Sequence, residues 1–384
     1  MSWRETTLGE ITDLKRGFDL PKSQRLQGDV PVYSSSGITG SNSTAAVEGP
    51  CVITGRYGTI GEVFFSGGPC WPLNTALYST EFNGNNPRFI YYLLQTIPWQ
   101  GYTTASAVPG VNRNHVNLCP VKIPDRATQD AIVEVLDSIV DKIALNNRLN
   151  DYLLELVSSV FAYRFSNNVN TTELKNVLSI STKALKPQEH AGEIWEHYSI
   201  PAFDENHRPV FEPASGIKSN KYQIDSECIL ISKLNPSTKR IWMPYCSSNN
   251  AVCSTEFIVY RPYLKEYKSF YYAAIDSPGF TNYLLEHVSG STGSRQRAQP
   301  KDTLHYLMPN PSNEEIKNFC TFADPIYRHI QINEQQTAKL ELLRDALLPK
   351  LMSGEIDVSK VDLTQLTNNH LPVRGHNVPN CYWK

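Results

Sequence analysis

The chain has 384 residues, enough for two or three domains that each bury a core of their own. With 40% hydrophobic and 19% charged residues, and no apolar run near the ~18 residues of a membrane span, a membrane-spanning protein is excluded. A formal net charge of -2, from 36 basic and 38 acidic residues, excludes a chain that wraps nucleic acid by overall charge, so any such binding must use local patches or partner subunits.

The opening "MSWRETTLGEI" lacks the basic start and apolar core of a signal peptide, and cytoplasmic residence is the expectation. Residues 1–123 are rich in glycine, serine, tyrosine and β-branched residues, with short strand-like runs "CVITG", "EVFF" and "TALYSTEF" and a helix expected at "RFIYYLL" (88–94). Within them, "ITGRYGTIG" places glycines at 55, 58 and 61. That spacing suits either a phosphate cradle or a tight hairpin presenting Arg56 and Tyr57. Residues 124–163 read as a long helix, 164–309 as a second globular part, 310–354 as a second long helix, and 355–384 as a tail without periodicity.

Set 187 residues apart, the two helices match. Ile132, Leu136, Ile139, Ile143 and Leu153 fall on Phe319, Ala323, Ile326, Ile330 and Leu340, mostly in alternating steps of four and three. That is a heptad seam, and it predicts that the helices pack on each other, antiparallel. Asn146 and Asn150 fall on Asn333 and Thr337, polar residues that cost stability in an apolar seam but fix its register. A helix of about 25 residues would be about 37 Å long, near the 34–36 Å helical repeat of DNA. Pro325, after Asp324, predicts a short helix followed by a longer one, and Asp137-Ser138 a similar break in the first copy.

The globular parts echo one another more weakly. "TTLGEI" at 6–11 is matched by "TTELKNVLSI" at 171–180, "RFIYYLL" by "SFYYAAI" at 269–275, and "STEF" occurs at 79–82 and again at 254–257. The expected fold class is α+β: two similar globular α/β domains separated by two long antiparallel coiled-coil-like helices, with pseudo-twofold symmetry.

Catalytic and metal motifs are missing from the sequence. No phosphate-loop pattern or H-E-x-x-H occurs, and "NPST" (235–238) falls short of the loop that grips a flipped adenine. Eight cysteines are scattered without C-x-x-C spacing, which suits free thiols rather than a zinc or disulfide framework. The expectation is no catalytic residue and no metal.

"PVYSSSGITG", "ITGRYGTIGEVFFSGGPCWPLNTALY" and especially "LRDALLPKLMSGEI" (343–356) resemble the specificity subunits of type I restriction-modification systems. The resemblance implies a subunit without its own active site. It would read a bipartite double-stranded DNA target, one half-site per target-recognition domain, and hold two copies of an adenine-N6 methyltransferase subunit through its helices. Motor-nuclease restriction subunits join that assembly. S-adenosylmethionine, ATP and Mg would be used by the partner subunits, with no cofactor in this chain and no membrane partner. The competing reading is a two-headed protein-interaction scaffold, which the near-zero net charge suits.

Base edges are read by Arg, Lys, Asn, Gln and Ser on loops and strand ends. In the first domain these are Lys22, Ser23, Gln24 and Arg25; Arg56 and Tyr57; and Asn112, Arg113 and Asn114, beside His115. In the second they are Lys183; Lys233, Asn235, Lys239 and Arg240; and Arg295, Gln296 and Arg297, the last group expected at the place of "NRNH" in the first. Aligning Cys51 with Cys228 puts Arg56 on Lys233 and Gly58 on Asn235. The second copy keeps the cation and loses the glycines, so a hairpin is favoured over a phosphate cradle.

Overall fold

The computed structural model describes residues 3–103, 110–289 and 296–361. It divides into two compact units, Met1–Ala144 with Ala338–Lys384, and Leu145–Thr337. Both belong to the expected α+β class: short, mostly antiparallel strands carried on long helices.

In the first unit, Trp3–Thr7 pairs antiparallel with Pro120–Pro124 and closes the globular part just before the long helix Arg126–Phe165 begins. A four-stranded sheet runs in the order Lys15–Arg16, Ala76–Ser79, Cys51–Gly55, Val63–Ser66. Helix Pro87–Gln95 starts where Asn86 accepts from the Arg88 and Phe89 amides, with proline at its first position where no amide bond is lost. Its buried Phe89, Ile90, Leu93 and Leu94 share one core with Ile132 and Leu136 of the first long helix and Leu351 and Met352 of the second. Arg88 and the Tyr92 hydroxyl both bond Asp137, at 2.5 Å each, so Asp137 anchors the domain instead of ending a helix.

The second unit repeats the plan. Thr171–Glu173 pairs with Leu307–Pro309, and a sheet runs Leu178–Ser181, Phe257–Pro262, Ile229–Ser232, Ile241–Trp242. The bonds match residue for residue. The Leu8 amide donates to the Cys119 carbonyl at 2.9 Å, and Leu174 donates to Tyr306 at 3.0 Å. Arg56 donates to Thr75, and Lys233 to Glu256, both at 2.9 Å. This unit adds a five-stranded sheet that the sequence did not announce, ordered Ala184–Leu185, Lys221–Gln223, Ala251–Ser254, Ile194–Tyr198, Val210–Pro213. Phe161, Phe165, Phe270 and Phe319 pack ring to ring, with centroids 5.2–5.9 Å apart, and join its head to its helices.

The heptad seam is real in each unit. In the second unit Asn146 Nδ2 donates to Thr337 Oγ1 at 3.3 Å, and Asn333 Nδ2 donates to Asn150 Oδ1 at 2.8 Å, all four residues buried. These pairings run in opposite chain directions, so the segments are antiparallel.

Four expectations need correction. The second long helix, Asn313–Ser353, runs unbroken through Pro325 for 41 residues. Phe319, Ala323 and Ile330 are buried on either side of it, and that packing outweighs the ~3 kcal/mol that a proline costs in a helix interior. The first runs for 40 residues with no break at Asp137-Ser138, so the match of a 25-residue spacer to the DNA repeat does not hold. The two "STEF" copies are not equivalent: Ser79 ends the strand whose counterpart is Phe257–Pro262, whereas Ser254 ends the strand before it. The tail starts later than residue 355, because Val358 is buried in the first core; residues 362–384, with "CYWK", lie outside the described residues.

Candidate nucleic-acid interface

"ITGRYGTIG" is the tip of a hairpin. Cys51–Gly55 and Val63–Ser66 pair antiparallel, with Thr54 opposite Val63. A Cβ on Gly55 would fall 1.7 Å from the Thr59 carbonyl, and Gly58 turns with φ of 79°. Asn235 takes the place of Gly58 with φ of 48°, the left-handed conformation that asparagine tolerates best after glycine. No helix follows the glycines to receive a phosphate, and the cradle reading falls.

A second loop is stitched to this tip. The Val111 amide donates to the Arg56 carbonyl at 2.9 Å, and Tyr57 bridges Gly110. The Arg56 guanidinium lies 4.7 Å from the Tyr57 ring centroid, a cation–π contact that holds both side chains. The stitched loops surround an open cavity of about 460 Å³. Arg56, Tyr57, Asn112, Arg113 and Asn114 all line it, and so does Arg16 from the neighbouring strand. Arg16 was not singled out in the sequence. Asn112 also caps the short helix Arg113–Val116 by accepting from the Asn114 amide at 3.0 Å, which leaves Arg113, Asn114 and His115 exposed.

Lys22, Ser23 and Gln24 form a separate exposed turn, away from the cavity's lining. Arg25 next to it is half-buried, and its Nη1 donates to the Thr39 carbonyl at 2.8 Å. That bond ties the turn to strand Gly37–Asn42.

The second unit stitches its loops the same way: Ala298 donates to the Lys233 carbonyl at 2.9 Å, and Leu234 bridges Arg297. Lys233 therefore stands where Arg56 does, as the alignment anticipated. The third loop is misaligned in the sequence reading. Since Ala298 matches Val111, the counterpart of Asn112 is Gln299, the residue before helix Pro300–Thr303, and Arg297 matches Gly110. The Arg-Gln-Arg run thus precedes the place of "NRNH". Its Arg295 lies outside the described residues.

Three of the cations here are already paired with carboxylates. Arg240 binds both Asp204 oxygens, at 2.6 and 2.9 Å, and holds that carboxyl below its usual range. Lys239 pairs with Asp276 at 2.6 Å, where burial nonetheless pushes the carboxyl up. Arg297 pairs with Glu256 at 3.1 Å. Lys183 stands at another hollow, beside the Arg261–Asp225 pair.

Among the described residues no three His, Cys, Asp or Glu groups sit together to hold a metal ion, and no helix is long and apolar enough to cross a membrane. The seven described cysteines are free thiols.

Residues 1–155 match the family model described as type I restriction modification DNA specificity domain. No curated protein matches the chain. A crystal structure of a type I restriction-modification system S subunit from M. genitalium is 17% identical, aligns over 91% of this chain and 96% of its own, and has a TM-score of 0.60. The HsdS subunit from Thermoanaerobacter tengcongensis is 15% identical over 92% of this chain and 97% of its own, with a TM-score of 0.32. The resemblance read from the sequence therefore stands: the first 155 residues match the type I DNA specificity domain family, and the chain as a whole has the fold of a type I S subunit.

Proposed function

We propose that this chain is the DNA sequence-recognition subunit of a type I restriction-modification complex, with no active site of its own. Each head reads one half of a bipartite duplex target, and the long helices dock methyltransferase subunits, to which restriction subunits add. The observation that carries this reading is the repeated stitch: Arg56 to Val111 in one unit and Lys233 to Ala298 in the other. The same backbone frame holds a different set of polar side chains in each head, which is what two unlike half-sites require.

The test compares genome-wide methylation in cells with and without the chain. A bipartite adenine-methylation motif that disappears with the chain supports the reading. If the methylation pattern is unchanged, and the chain shifts no duplex at low salt with or without its methyltransferase partners, the two-headed scaffold is the better account.

A further inference from the structure

On DNA, a guanidinium such as that of Arg56 can meet either a phosphate or a guanine edge. We propose that Arg16, Arg56 and Arg113 form a phosphate-binding site in the first head, with Arg16 as a member that only the fold assembles. This rests on the DNA-reading function proposed above and specifies what part of that head does.

Three guanidinium groups line one cavity, and among its described lining residues none is a carboxylate. Like charges so gathered repel, by about 1 kcal/mol for each pair at 4 Å even in water, and an anion between them offsets that cost. A guanine edge offers two acceptors, which one guanidinium fork already fills. A phosphodiester offers a full charge and several lone pairs, so it can satisfy more than one fork. Among the described residues Arg16 has one weak partner, Asp19 at 3.4 Å, and over half of its side chain is exposed. Among the described residues the second head has no equivalent site. The strand register puts Thr182 in the place of Arg16, and the stitched loops put Pro300 in the place of Arg113.

A phosphate contact is blind to sequence, so it can be tested on a duplex of arbitrary sequence with the full chain, before the target is known. Wild type, Arg16→Gln and Asp19→Asn are titrated over a salt series. Arg16→Gln is expected to weaken binding about tenfold at low salt. It should also flatten the plot of log K against log salt by about 0.9, the value of one released counterion. Asp19→Asn, which removes the competing carboxylate, is expected to tighten binding. If wild type binds but Arg16→Gln leaves affinity and slope unchanged, or alters sequence preference at constant slope, the phosphate site is wrong while the recognition function stands. If wild type binds no duplex at any salt, the recognition function fails and takes the site with it.

Discussion

Gly110 has no side chain because Tyr57 occupies the space: a Cβ there would lie 2.3 Å from Tyr57 Cε1. The ring cannot give way alone, because Arg56 is stacked on it. Gly110→Ala should therefore displace Arg56 without touching it. The thermal midpoint should fall by only about 2–4 °C, while duplex binding weakens as far as in Arg56→Ala; equal binding by Gly110→Ala and wild type would show the stack to be irrelevant. Glu334 makes a separate case at this scale. It is half-buried against Tyr245 and Tyr272, and desolvation raises its carboxyl from 4.5 to about 7, with Arg208 only partly opposing. The folded state thus keeps its proton to higher pH than the unfolded chain. Its contribution to stability should be greatest below pH 4.5, fall as pH rises to about 7, and level off beyond. Glu334→Gln should abolish that fall and add about 2 kcal/mol at pH 8, as denaturant unfolding at two pH values would show. Neither effect could be read from the sequence, since the partners of Gly110 and Glu334 are distant along the chain. Arg240 and Lys239 illustrate the same limit. They read as free cations, and their carboxylates Asp204 and Asp276 are some 36 residues away.

The long helices were legible because a heptad seam is a local pattern, and the four polar seam residues stood out against it. Their bonds now say what substitutions do. Replacing Asn333 with Leu leaves the buried Asn150 Oδ1 without its donor, at a cost of about 1–3 kcal/mol, and Asn150→Leu does the same to Asn333. The double variant removes both polar groups and should recover most of the loss, giving a coupling energy above 0.5 kcal/mol in a double-mutant cycle by chemical denaturation. Additive losses would mean that the pair is not a unit. Pro325 was misread because its local rule is strong; the packing of a whole helix face overrode it. The five-stranded sheet of the second unit was missed for the opposite reason. Its strands Ala184–Leu185 and Lys221–Gln223 are too short to carry a period, and they exist only through pairing, the first with the second and the second with Ala251–Ser254.

For the whole molecule, the duplication matters more than any single loop. The same amide-to-carbonyl bonds recur in both units, while the side chains they present have diverged: Arg16 against Thr182, Arg56 against Lys233, Tyr57 against Leu234, Arg113 against Pro300. On the proposed reading, a frame held constant under changing side chains would let one head alter its preference without disturbing the other, because neither stitch borrows a residue from the other unit. Arg56→Ala and Lys233→Ala should then have separable consequences. In methylation sequencing, Lys233→Ala is expected to blur one half of the recognised motif and leave the other intact, whereas Arg56→Ala is expected to lower methylation at every recognised site without changing the motif. Each should cost about 1–3 kcal/mol of discrimination if the cation meets a base edge, and a uniform loss across sequences if it meets phosphate. For Arg56 the three-arginine cavity favours the uniform loss. For Lys233, whose neighbours Lys239, Arg240 and Arg297 are held by Asp276, Asp204 and Glu256, it favours discrimination, so the second head should respond less to salt than the first. Equal blurring of both halves by either variant would instead mean that the two heads read one shared surface.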